Sequence, residues 1–173
     1  MAPAFPMRWG GVPMVREPVE KQERKEMSDQ VRMAAVRHGS REYDATLALR
    51  DALLRKPLGL KFSEQALRAE SGDHHLACYA GERLVACLVL TPQSGGVVRM
   101  RQVAVAADFQ RKGYGRALVA HAERVATELG FSEMIAHARE TAVPFYERLG
   151  YVTDGPPFSE VGMPHLLVRK KLR

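Results

Sequence analysis

From Val97 to Val105 the chain alternates with a period of two, which predicts a strand. Val98, Met100, Gln102 and Ala104 fall on one face; Val97, Arg99, Arg101, Val103 and Val105 fall on the other. A stretch of loop chemistry follows, Gln110-Arg111-Lys112-Gly113-Tyr114-Gly115. The period then changes. Ala117, Leu118, His121, Ala122, Val125 and Leu129 recur at spacings of three and four, as on an amphipathic helix that Gly130 can end.

The rest of the chain reads around this stretch. Val31 to Arg37 predicts a first strand. Ser40 is placed to cap a helix from Arg41 to about Leu54, with Tyr43, Leu47 and Leu54 on its inner side, ended by Pro57 and Gly59. Ser63 opens a second, short helix through Leu67. His75–Ala80 and Leu84–Leu90 predict a hairpin about Gly81. Thr91 to Gly96 is a second turn. After the long helix comes a strand from Met134 to Ala138. A helix follows, capped by Thr141, with Pro144 in its first turn and Gly150 at its stop. Tyr151–Val152 and His165–Lys171 read as closing strands around a Gly-Pro-Pro loop. Antiparallel strands followed by strand–helix–strand predict an α/β (α+β) fold: a mixed, mostly antiparallel sheet with helices on both faces.

Residues 1–30 look different. Pro3, Pro6, Pro13 and Pro18 precede a run of mixed charge from Glu17 to Glu26, with few positions able to form a core face. A disordered or loosely docked arm is expected there, with the folded domain over 31–173. Met27 is an alternative start. Charges in the arm balance, so the net charge of +6 belongs to the folded part. At 46% apolar residues, 173 positions suffice for one core. Cys78 and Cys87 lie in predicted strands and read as core thiols, which fits a cytoplasmic setting. No stretch is long and apolar enough for a membrane helix, no zinc-finger spacing suggests nucleic acid, and the six histidines show no metal-ligand spacing. Neither a metal nor a nucleic-acid or membrane partner is expected.

A strand, a basic glycine-bearing turn and a helix form a device for holding phosphate. The first N–H groups of a helix lack internal partners and carry partial positive charge. Gly113 and Gly115 let an anion approach the backbone, and Arg111, Lys112 and Arg116 add charge around the same point. A P-loop is the alternative phosphate device, but its G-x-x-x-x-G-K-S/T pattern is missing.

The residues themselves carry a resemblance. Gln110-Arg111-Lys112-Gly113-Tyr114-Gly115 is similar to the Q/R-x-x-G-x-G/A signature of the GNAT superfamily of N-acetyltransferases. Ala142-Val143-Pro144-Phe145-Tyr146-Glu147-Arg148-Leu149-Gly150-Tyr151 resembles the superfamily's A-x-x-F-Y-E-K-L-G-F/Y segment. Glu160-Val161-Gly162-Met163-Pro164-His165 resembles the E-x-G-x-P-H tail of an uncharacterised bacterial subgroup. The resemblance spans about Val31 to Leu172. It implies a splayed parallel strand pair with acetyl-CoA wedged between. Val103, Ala104 and Val105 would pair with the pantetheine amides, the turn from Gln110 through Gly115 to Arg116 would take the pyrophosphate, and Phe145 would line the cofactor site. Where many members carry Asn, this chain has Arg139.

The implied reaction passes the acetyl group to a primary amine of a small molecule or peptide by direct attack in a ternary complex. An amine must lose a proton, the oxyanion must meet donors, and the departing thiolate gains from an acid. The resemblance makes Tyr146 the general acid; the alternative is packing beside Phe145. Glu160 and His165 are candidate bases, with an ordered water or a purely structural His165 as alternatives. His137 is placed on the strand facing the cofactor gap, with core packing as its expected role; His74 and His75 read as strand-edge residues, and His121 as half-buried. Arg99 and Arg101, on the face assigned to Val103, suggest a carboxylate-bearing acceptor if that face lines the cleft. Arg50, Arg55 and Lys56 sit in the loop region that lines the acceptor site in the superfamily. The acceptor itself is not specified by these motifs, and exposed strand edges near the C-terminus make a homodimer an option. A non-catalytic acyl-CoA-binding or sensing domain of the same fold is the alternative function.

Overall fold

A computed structural model describes residues 30–173; the predicted N-terminal arm and Met27 lie outside them. Seven strands form one sheet in the order β1-β2-β3-β4-β5-β7-β6. They are β1 (Val31–Val36), β2 (His74–Ala80), β3 (Arg83–Pro92), β4 (Val97–Val105), β5 (Glu133–Arg139), β6 (Val152–Glu160) and β7 (Met163–Lys171). Every pairing is antiparallel except β4 with β5. The helices are α1 (Arg41–Arg50), α2 (Glu64–Ala69), α3 (Tyr114–Glu128) and α4 (Val143–Glu147).

Local chemistry sets the helix starts. Ser40 Oγ accepts from the Tyr43 N–H at 3.2 Å, and Ser63 Oγ accepts from the Ala66 N–H at 3.1 Å. Thr141 does not cap its helix: Glu140–Ala142 is a 3-10 turn and α4 starts with no side-chain cap. The long helix buries Leu118, Val119, Ala122 and Ala126, a stripe shifted from the predicted one. Leu129, at the C-cap, is 48% exposed. This stripe packs with Leu76, Leu88, Leu90, Met100 and Met134 in the main core. The opposite sheet face carries a smaller cluster of Val36, Tyr43, Ala77 and Tyr79 under α1. There the buried positions of α1 are Tyr43, Thr46 and Arg50, so two of the three are polar and hydrophobic period misplaced this face. A π-turn, Asp51–Arg55, continues α1 to near its predicted end. Both cysteines are buried and free, and burial pushes the Cys87 thiol up to about 12.

Two strands depart from expectation. Gly155-Pro156-Pro157 is not a loop but part of β6, where the register with β7 shifts between Asp154 and Phe158. This strand ends the sheet, and an edge strand with a bulge tolerates proline because no second neighbour needs its N–H. In β4 the alternation breaks. Cys87 pairs with Ala104 and Val89 with Arg101, so Leu88 faces two residues, Gln102 and Val103. Gln102 has φ 52, the left-handed region that a bulge residue adopts. Arg101 and Gln102 consequently reach the same carboxylate, Glu70. Val103 packs against the main core instead. The predicted common face for Arg99, Arg101 and Val103 is thereby corrected.

Candidate active site

The bulge coincides with a split in the sheet. β4 and β5 pair from Val97–Glu133 to Met100–Ala136 and no further. β4 stays with β3 as far as Val105, and β5 stays with β7 as far as Arg139–His165. The edge of β4 from Arg101 to Val105 therefore faces an opening instead of a neighbouring strand. Backbone groups left this way want a partner of extended, amide-bearing shape. A cleft of about 640 Å³ occupies the opening, lined among others by Gln102, Val103, His137, Tyr146, Glu160 and His165.

The helix after β4 begins beyond the end of this free edge, with Gly115 beside Val105. Ala117 N–H donates to Gly113 C=O at 2.9 Å, so the N–H groups of Tyr114, Gly115 and Arg116 precede the first helical bond. The two glycines do different work, although one shared role was expected of them. Gly113 has φ +91, and a Cβ there would meet nothing within 4 Å: it turns the chain and leaves open approach. A Cβ on Gly115 would stand 3.3 Å from Val105 Cγ2 and 3.7 Å from Phe145 Cζ, so this glycine seats the helix on β4 and α4. Gln110 Nε2–H donates to Val105 C=O at 3.0 Å, tying the turn to the strand end. Arg111, Lys112 and Arg116 are exposed around the turn. Tyr114 packs edge-on to Phe109, and Ala104 is buried beside Cys87.

Tyr146, on α4, is 7% exposed and lies between the rings of Phe145 and Tyr151. Its hydroxyl has no hydrogen bond among the described residues, yet is not sealed off, and it borders the cleft. Burial pushes it up to about 12, so it holds its proton and can donate it.

Opposite the tyrosine stands a cluster that the sequence did not assemble. His137 Nδ1 lies 2.6 Å from Glu160 Oε2 and 2.8 Å from Arg99 Nη2. Arg99 Nη2 is also 3.3 Å from Glu160 Oε1. Burial alone would raise the Glu160 carboxyl. The hydrogen bond from His137 and the charges of His137 and Arg99 outweigh it and hold the carboxyl below the usual range. His137 faces the gap as its strand predicts and lines the cleft, so the core-packing role expected for it is corrected. His165, 6% exposed, donates from Nδ1 to Met163 C=O at 2.9 Å and lies near the Phe158 ring. The turn Val161-Gly162, both with positive φ, folds the β6–β7 hairpin so that Glu160 and His165 share the cleft.

Beneath the bulge lies a buried polar network. Arg50, with 0% exposure, donates from Nη1 to both Glu70 oxygens at 3.0 Å and to Gln102 Oε1 at 2.7 Å. Gln102 Nε2–H donates to Glu70 Oε1 at 3.1 Å, and the Tyr43 hydroxyl donates to Glu70 Oε2 at 3.0 Å. His75 is buried, not at an edge, and bonds through Nε2 to Glu70 C=O. The one signal available in the sequence was Arg50, seven positions after Tyr43 and hence on the same helix face. Arg55 also lines the cleft, whereas Lys56 is exposed and pairs with Asp51. His121 is half-buried on the long helix, as expected. Among the described residues, no helix is long and apolar enough to cross a membrane, and no group of three or more His, Cys, Asp and Glu is placed to hold a metal ion.

Known proteins resemble this chain in sequence and in fold. The model of the acetyltransferase (GNAT) domain family matches residues 54–172. The uncharacterized N-acetyltransferase YjcF of Bacillus subtilis is 27% identical over 123 residues, covering 70% of this chain and 87% of that protein. The chain spans about half the length, 52% and 53%, of two further curated relatives from the same bacterium. An acyl-CoA N-acyltransferase from Pseudomonas aeruginosa superposes with a TM-score of 0.70 at 21% identity, over 82% of this chain and 99% of that one. A GNAT family acetyltransferase from Elizabethkingia anophelis with acetyl-CoA bound superposes with a TM-score of 0.64 at 16% identity, over 83% and 99%. Likeness at such identities speaks for the fold. The family match covers well over half of the sequence, and by it this chain belongs to the GNAT acetyltransferases.

Proposed function

We propose that this protein is an acetyl-CoA-dependent N-acetyltransferase in which a primary amine attacks the thioester directly. One observation carries the proposal: the unpaired edge of β4 and Tyr146 border one cleft, and the free start of α3 lies at the end of that edge, where Gly115 packs beside Val105 and Phe145. The edge from Arg101 to Val105 offers strand-like pairing to pantetheine amides. The N–H groups of Tyr114, Gly115 and Arg116, with Arg111 and Lys112 beside them, offer a seat for the pyrophosphate. The neighbour from Elizabethkingia anophelis, of the same fold, holds acetyl-CoA.

The proton accounting then runs through this chain's groups. As the C–N bond forms, the amine gives one proton to the Glu160 end of the cleft, where Glu160 and His165 are the candidates from sequence. A backbone N–H near Val103 meets the oxyanion. As the C–S bond breaks, Tyr146 gives its proton to the sulfur and regains one through solvent. An acceptor that enters as ammonium sheds its extra proton to water first.

Calorimetric titration with acetyl-CoA tests the cofactor seat. Wild-type protein is expected to bind, and Gly113→Trp to lose detectable binding. Its backbone sits at φ +91, where an L-residue costs about 1–2 kcal/mol. The indole would also fill the open space before the helix start. Equal affinity in wild type and variant would remove the turn from the site.

A further inference from the structure

We propose that His137 is the base that deprotonates the acceptor amine and that Glu160 is a positioning residue which fixes its tautomer. This rests on the acetyl-transfer reading above and departs from it in moving the proton off Glu160 and His165.

One ring nitrogen cannot both donate to Glu160 and accept from Arg99. Two arrangements are open, and in the first the 2.8 Å Arg99 contact is two donors side by side on one carboxylate, not a hydrogen bond. In one, Nδ1 carries hydrogen and donates to an ionised Glu160. In the other, Nδ1 is bare, accepts from Arg99, and faces a protonated Glu160. The 2.6 Å separation requires a proton between nitrogen and oxygen, and it is the shorter of the two contacts. Glu160 also has the Arg99 guanidinium on its other oxygen at 3.3 Å, a partner for an anion. Its depressed titration agrees with an ionised carboxylate. The first arrangement follows. The hydrogen sits on Nδ1, Arg99 and His137 share the carboxylate as two donors, and in the neutral ring Nε2 carries the lone pair.

Nε2 has no partner among the described residues and is not a sealed, unsatisfied atom. The ring lines the cleft and is held edge-on to Phe158 with centroids 4.9 Å apart. That is the geometry of a carboxylate-oriented imidazole base. The amine N–H bond breaks toward Nε2, its electron pair forms the C–N bond, and the resulting imidazolium keeps Glu160 as its counter-charge. Solvent then takes the proton from Nε2.

His165 is the competitor, since its Nδ1 also donates and leaves Nε2 bare. Its Nδ1 partner is a backbone carbonyl. A carboxylate offsets a developing positive charge better than a peptide dipole does. Glu160 itself is the other competitor. Both of its oxygens are already engaged, by His137 and Arg99. The charged and titratable groups around His137 are Arg99 on β4, Glu160 on β6, His165 on β7, and Arg139 two residues along its own strand.

Two measurements decide. Nitrogen-15 NMR of the imidazoles in the full chain, with and without acetyl-CoA, is expected to show His137 in the Nδ1–H tautomer, and in Glu160→Gln to show that preference weakened. An Nε2–H tautomer in wild-type protein overturns the proposal. Coenzyme A release is then followed with a panel of an alkylamine, a free amino acid and a peptide α-amine. His137→Asn is expected to lower kcat by about 100-fold, within the range for general base catalysis, with acetyl-CoA affinity unchanged. Glu160→Gln is expected to lose less and to displace the pH profile of kcat/KM, and His165→Asn to lose less kcat than His137→Asn. A loss in Glu160→Gln as large as that in His137→Asn overturns the assignment, as does a loss confined to His165→Asn. If wild-type protein binds acetyl-CoA but acetylates no amine, the transferase reading fails, and the NMR tautomer still decides the His137–Glu160 pair.

Discussion

Tyr146→Phe is expected to lower coenzyme A release by roughly 10²–10⁴-fold while leaving acetyl-CoA affinity within about two-fold, the size of effect that a positioned acid contributes. The substitution removes one oxygen and keeps the ring. Contacts with Phe145 and Tyr151 at 5.1 and 5.6 Å between centroids survive, so α4 keeps its seat. What disappears is a hydroxyl at the cleft wall with no hydrogen bond to another described residue. Burial holds its proton up to about 12, so it is fully protonated across the working pH range and is matched to donation. A thiolate leaving without that donor departs as an anion. Steady-state release assays paired with calorimetry check this. Wild-type turnover in the variant would reduce Tyr146 to packing.

The second large effect concerns stability. Glu70→Ala is expected to destabilise the fold by about 3–5 kcal/mol, read as a lower midpoint in urea unfolding, because it leaves Arg50 buried without its counter-charge. Arg50 is 0% exposed, and its Nε and Nη2 already lack partners, so Gln102 Oε1 is the acceptor that remains to it. Replacing both, as Arg50→Met with Glu70→Leu, should recover much of that loss, since a buried ion pair exchanged for apolar volume is often neutral. Turnover should not recover. Gln102, whose backbone sits at φ 52, would lose the partners that hold its side chain, and the bulge that bends β4 from the opening would loosen. An unchanged midpoint in Glu70→Ala would refute this account.

The same network sets a pH dependence. Burial alone would raise the Glu70 carboxyl, but the charge and hydrogen bonds of Arg50, with those from Tyr43 and Gln102, bring it below its ordinary value. The unfolded chain then binds more protons between the two values. This stability is whole above the ordinary carboxylate range, near 4 for model peptides, and is lost as pH falls through the folded value. Burial lowers His75 from the ordinary imidazole value. Stability therefore also declines as pH falls below that value, because unfolding lets the ring take a proton. Acid unfolding monitored in wild type and in Glu70→Gln should show the carboxylate part of the slope only in wild type.

The turn Gln110–Gly115 and the helix after it were legible because everything that makes them is local. A change of hydrophobic period, a glycine at positive φ and a free helix start lie within a few residues of one another. The serine caps at Ser40 and Ser63 were legible for the same reason. Local signals failed where a distant partner overrides them. The faces of β4 follow a two-residue period only up to Gln102, whose conformation is held by Arg50, 52 residues away. Gly155-Pro156-Pro157 has the composition of a loop, but the open side of β6 makes strand pairing tolerable there.

The sequence by itself determined the mixed sheet, the strand–turn–helix phosphate device and the tyrosine-bearing helix, because each is encoded by neighbours along the chain. The tertiary structure alone decided that the split between β4 and β5 starts at a bulge, and that Arg99, His137 and Glu160 converge there. Arg99 and Glu160 are 61 residues apart and His137 and Glu160 are 23 apart. No periodicity couples positions so separated. Sheet order and hairpin register bring them into contact, and contact fixes which ring nitrogen holds the proton.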